Sequence, residues 1–158
     1  MSEANDLKFT TFTGPAGLGG WLILPGLGLF LSIFRQIGDV IHLIGLFKQD
    51  SWNALTSPGS ASYDSWWATL LVFELAATVA LVMFEILLLF LFRGQKRAVP
   101  QLMIAWLIFQ AFVYVTVSLM SRQIPGAVSG GIFTPIVPCL IWIPYFLTSK
   151  RVKETFIL

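Results

Sequence analysis

The stretch Trp66–Phe92, WWATLLVFELAATVALVMFEILLLFLF, constrains this chain most: it is apolar and long enough to cross a bilayer, yet it carries two carboxylates. As a helix it is roughly 40 Å long against a hydrocarbon core of about 30 Å, so it crosses with tilt or projects beyond one face. Glu74 and Glu85 are eleven residues apart and return to nearly the same side of the helix, together with Thr78 and Leu81. Charge facing lipid is costly, so the spacing predicts that other helices pack over this stripe.

The rest of the composition agrees with a membrane protein: 56% of the 158 residues are hydrophobic, 11% are charged, and the mean hydropathy is +0.80. A net charge of +2, with the basic residues grouped at the ends of apolar runs, argues against a nucleic-acid partner and for topology signals. One cysteine, Cys139, in an apolar context leaves no disulfide within the chain and no cysteine cage for a metal. No basic region leads from the start of the sequence into an apolar run, so the first run is expected to remain in the mature protein.

Residues 1–17 read as a short polar tail ending in turn formers. A membrane domain over 18–148 follows, with spans at about 20–47, 66–92, 101–121 and 132–147, and then a basic tail over 149–158. For the first span two readings stand: one long tilted helix, or a span that ends near Arg35 and continues as an amphipathic segment at the outer interface. Residues 48–65 are polar and carry Pro58-Gly59, so they read as an aqueous loop. The fourth span holds Pro135, Pro138 and Pro144, which predicts kinks or an unwound start. Lys and Arg concentrate at Arg93, Lys96 and Arg97 and at Lys150, Arg151 and Lys153. The positive-inside rule then places both termini in the cytoplasm and the 48–65 loop outside. These basic residues set topology, and the same charges suit anionic lipid headgroups.

Polar residues inside the spans are the candidate site. Arg35, Asp39 and His42 share one helix face, and Gln110, Tyr114 and Ser121 share another. On the long-helix reading of the first span, depth counting brings Arg35, Asp39, Glu74 and Tyr114 together in the outer half, with His42 nearer the surface. Such a cluster serves as a register-fixing network or as a ligand or proton site. No basic residue aligns with Glu85. A buried, unpaired carboxyl is held neutral by desolvation. It then serves as a donor to a carbonyl freed by Pro25 or Pro144, as a proton relay, or as a group reaching toward Arg93. Gly17, Gly19, Gly20, Gly26 and Gly28 surround Pro25, and Gly130 and Gly131 precede Pro135. This pattern suits close packing or, alternatively, the broken helices of a transporter site.

Two end motifs carry a resemblance: Gly19-Gly20-Trp21-Leu22 followed by Pro25, and Trp142-Ile143-Pro144-Tyr145-Phe146 followed by Ser149-Lys150-Arg151-Val152 and Thr155-Phe156. Over about residues 18–156 the chain resembles the DUF2569 family of small bacterial four-helix inner-membrane proteins. The resemblance implies a multi-pass protein of the bacterial inner membrane and transfers no catalytic or binding residue. The chain carries one histidine, no phosphate-cradling glycine loop followed by lysine and no glycine-flanked serine elbow. The expectation is therefore an all-α, four-helix transmembrane bundle without cofactor, metal or enzymatic activity. Arg35, Asp39, His42, Glu74, Glu85 and Tyr114 bind a small or lipid-like ligand in a minimal transporter or an accessory subunit. Its partners are membrane lipids, further copies of the chain or a larger membrane complex. Two alternatives stand beside it: an assembly partner whose buried charges only stabilise the bundle, and a carboxylate-dependent lipid-modifying enzyme.

Overall fold

Long apolar runs in a solvent that offers no hydrogen bonds must satisfy their own backbone, and helices do so within one segment. The computed structural model describes residues 20–125, 127, 131 and 133–156; among them the regular structure is helical. The expectations for residues 1–17 and for Gly17, Gly19 and Gly130 lie outside the described residues. A 3₁₀ turn, Gly20–Leu22, leads into α1, Ile23–Leu46. With α3, Trp66–Arg93, and α4, Val99–Ser121, it makes three helices long and apolar enough to cross a membrane. The first apolar run is one continuous helix through Arg35, Asp39 and His42, with no break near Arg35. Pro25 does not interrupt it. It sits in the first turn, where a backbone N–H has no intrahelical partner.

Three segments depart from the sequence reading. The 48–65 loop contains an eight-residue helix, α2, Gln49–Thr56, with Asp50 in its first turn, where negative charge is favoured. Trp52 of α2 stacks on Phe47 at 5.0 Å, so the helix exists by docking onto the end of α1. The last apolar helix, α5, covers Ile136–Thr148 rather than 132–147, and at thirteen residues it is about 20 Å long. Pro135 caps it, Pro138 falls in its first turn and Pro144 lies inside, so the chain enters through the turn 133–135 as the prolines demand. The basic tail contains a short helix, α6, Lys150–Thr155, capped by Ser149, whose hydroxyl accepts from the Val152 amide at 3.4 Å.

α1 packs along α3, α3 along α4 and α4 along α5. Chain direction brings the start of α1, the end of α3, the start of α4 and the end of α5 to one end, which carries the basic 93–97 loop. There the packing is tight. Leu22, Phe92, Val99, Phe146, Val152 and Phe156 are all buried, and the Phe92 and Phe156 rings meet edge to face at 5.3 Å. Arg151 lies over Gly20, where an added Cβ would come within 3.1 Å of its guanidinium. Along the outside, Phe34, Met83, Phe90, Phe112, Phe133 and Leu140 are exposed, a surface suited to acyl chains rather than water.

Gly26 lets α1 approach α3 at this closed end, because an added Cβ would stand 2.8 Å from the ring of Phe92, which is itself held against Phe156. Gly28 has open space at the same test. Gly26→Ala is therefore expected to lower stability by about 1–3 kcal/mol through overpacking. Gly28→Ala should leave it unchanged or raise it by up to about 1 kcal/mol. Reversible unfolding in detergent measures both, and equal effects at the two positions would contradict this packing.

Candidate functional site

At the opposite end the helices part, and polar side chains fill the gap. Arg35 of α1 donates to Asp39 one turn on, at 3.0 Å, and across to the Tyr114 hydroxyl of α4, at 3.1 Å. Its guanidinium also stands 5.9 Å from the Tyr114 ring centroid, within cation–π range. Arg35 and Asp39 are about half exposed, at 45% and 49%, so this is an accessible pair rather than a buried one. In water such a pair would contribute little, about 0–1 kcal/mol. Its role here is to hold Arg35 between two cavities.

The first cavity, about 240 Å³, lies among α1, α3 and α4. Arg35, Asp39, His42, Glu74, Gln110 and Tyr114 contribute its polar wall. The second, about 330 Å³, lies between α4 and α5 and shares Arg35, Gln110 and Tyr114 with the first, so the Arg35–Tyr114 bond partitions one polar region. The structure brings Arg35, Asp39 and Tyr114 together as a bonded set. Glu74 is near it but not bonded to it. It lies within electrostatic reach of Asp39 and His42, and makes no direct ion pair or side-chain hydrogen bond among the described residues. His42 is exposed at the rim. Gln110 and Ser121, read from sequence as one polar face with Tyr114, line the first cavity as well.

Glu85 lies deeper and corrects the sequence reading. Its carboxyl does not reach for Arg93 or for a carbonyl freed by proline. It turns to α1, where its Oε1 accepts from the Ser32 hydroxyl at 2.9 Å and the Gln36 amide at 2.5 Å. Ser32 and Gln36 are one helical turn apart, so both donors reach the same oxygen. Glu85 is 0% exposed and Gln36 2%. Three buried polar atoms in this region have no partner: Glu85 Oε2, Gln36 Oε1 and the indole nitrogen of Trp106 on α4. Gln36 also lines the first cavity, so it separates the cavity from Glu85. The sequence aligns no cation with Glu85; the signal for its partners is a Ser–Gln pair four residues apart at matching depth on α1.

The six basic candidates fall at the closed end. Arg93, Lys96, Arg97, Lys150, Arg151 and Lys153 are all exposed there, on the 93–97 loop and on α6. Among the described residues no group of three or more His, Cys, Asp or Glu side chains is placed to hold a metal ion.

The protein family described as "Protein of unknown function (DUF2569)" matches residues 15–157. A relative in Escherichia coli (strain K12), named Inner membrane protein YdgK, is 27% identical over 149 residues, covering 93% of this chain and 98% of the relative. No solved structure matches the chain.

Hydrogen bonds between membrane helices contribute about 0.6 kcal/mol each on average, whereas leaving a buried polar group short of a partner costs about 1–3 kcal/mol. Gln36→Leu is therefore expected to destabilise by about 1–3 kcal/mol, and adding Glu85→Leu should recover most of that loss, since both partners leave together. Unfolding of the four proteins of this cycle measures the coupling. Strictly additive losses would show that the two side chains do not act as a pair.

Proposed function

We propose that this chain, which belongs to the DUF2569 family, is a multi-pass bacterial inner-membrane protein that binds a small polar or lipid-like ligand in its outer cavity. Supporting the location are three helices able to cross a membrane and a relative named as an inner membrane protein. α5, with its proline-set entry turn, makes a fourth and shorter crossing. The basic 93–97 loop and the basic α6 lie at one end, so the positive-inside rule puts that end and both termini in the cytoplasm. The cavity then opens toward the periplasm.

The observation that carries the ligand reading is the polar lining of a cavity inside a membrane bundle, where polar groups without a task are costly. Arg35 and Asp39 offset one another, which leaves Glu74 as an unpaired carboxylate on the wall and Tyr114 and Gln110 as hydrogen-bonding groups. A ligand carrying a positive group for Glu74 and oxygen acceptors for Arg35 fits this lining, and the headgroup of a zwitterionic lipid has that chemistry. At about 240 Å³ the cavity lies just below the usual range for drug-sized molecules, so it takes a small molecule or a headgroup. The reading is of a binding protein, acting as a minimal transporter or an accessory subunit, and not of an enzyme. A structural role is the second reading, favoured by the Ser32–Glu85–Gln36 link between α1 and α3.

Native mass spectrometry of the detergent-purified protein separates the two. The ligand reading expects a defined small-molecule or lipid adduct on the wild type that is lost in a folded Glu74→Gln variant. A bare wild type, with Glu85→Gln lowering stability, would support the structural reading instead.

A further inference from the structure

We propose that Glu85 is a proton-binding site that exchanges with the outer cavity past Gln36. The site is built from a carboxyl with 0% exposure, one oxygen of which takes two hydrogen bonds from α1 while the other takes none. That asymmetry leaves Oε2 as the oxygen that holds the proton. Among the described residues no cation contacts the carboxylate directly. Arg35 of α1 is within electrostatic reach, but its guanidinium is bonded to Asp39 and Tyr114. From α4 the neighbour is Trp106, which is uncharged and whose ring N–H stands close to the Glu85 carboxyl without completing a hydrogen bond of full geometry. Of the titratable groups of α5, Cys139 donates to the carbonyls of Leu107 and Pro135, and Tyr145 packs its ring on Trp142 and Phe146 while its hydroxyl is buried without a hydrogen-bond partner. On α3 itself the next carboxylate, Glu74, stands about three turns away in the cavity wall.

Such a carboxyl needs a route to water, and the route is short. Gln36 touches Glu85 with its amide nitrogen and lines the cavity, and its own oxygen is free to accept. Uptake forms an O–H bond at Glu85 Oε2 as the O–H bond of a hydronium in the cavity breaks; release reverses both changes. In the protonated state the carboxyl is uncharged, and Oε2 becomes a donor for an acceptor such as Gln36 Oε1. The other end offers no comparable route, since Leu88, Phe92 and Val99 are each at most 5% exposed between Glu85 and the basic loop. This inference does not rest on the ligand reading of the cavity, and it holds whether or not a ligand binds beside Glu74.

Infrared difference spectroscopy of the full chain in lipid, between acidic and alkaline buffer, tests it. A carboxylic-acid carbonyl band that grows on acidification is expected in the wild type and in Glu74→Gln, is lost in Glu85→Gln, and moves in Glu85→Asp, which keeps the acid should Glu85→Gln fail to fold. Deuterium exchange of that band should slow at least about tenfold in Gln36→Leu. A wild-type spectrum without a titrating band assignable to Glu85 would overturn the proposal. Exchange that is unchanged in Gln36→Leu would overturn the route. A band that changes with sodium concentration at fixed pH would overturn the proposal by reassigning the site to a metal cation.

Discussion

A polar side chain on a membrane-crossing helix has to find its partner within the protein, and the bond from Glu85 to Ser32 and Gln36 is where this chain meets that demand at its greatest depth. The two donors on α1 fix its rotation and height against α3, because a slip of one residue on either helix would carry both away from the carboxyl. With α1 and α3 so registered, Arg35, Asp39 and His42 fall opposite Glu74, and α4 adds Gln110 and Tyr114 to the same space. The cavity thus follows from a buried link a few ångströms below it.

The two ends of the bundle differ for a physical reason. At the basic end a glycine admits a phenylalanine, and α6 folds back so that Val152 and Phe156 complete an apolar core with Leu22, Phe92 and Val99. At the other end the facing residues are charged or hydroxylic, α5 begins late behind its prolines, and side chains cannot close the gap without stranding polar atoms. Among the described residues the basic end is closed by side-chain packing, and both cavities lie toward the other end.

Periodicity made much of this legible. Glu74 and Glu85 fall on one face of α3, Arg35 and Asp39 on one face of α1, and Gln110, Tyr114 and Ser121 on one face of α4, because long apolar helices obey the 3.6-residue repeat closely. What stayed hidden depends on contacts between distant segments. The eight residues of α2 and the six of α6 are too short to be stable alone and form where Trp52, Val152 and Phe156 find a surface. The partners of Glu85 are a hydroxyl and an amide rather than a cation, and composition does not flag such a pair. The late start of α5 was written in its prolines, although its first helical residue was not.

A cavity open to the periplasm, with the basic end in the cytoplasm, is the central claim, and it is tested most directly by cysteine accessibility in intact cells. In a Cys139→Ser background, Gln110→Cys sits about 16 Å from either end of α4, on the wall shared by both cavities. A small membrane-impermeant thiol reagent added outside should label Gln110→Cys, and should label Lys96→Cys only after the membrane is opened. Labelling of Lys96→Cys from outside, or none at Gln110→Cys in a folded protein, would contradict the account.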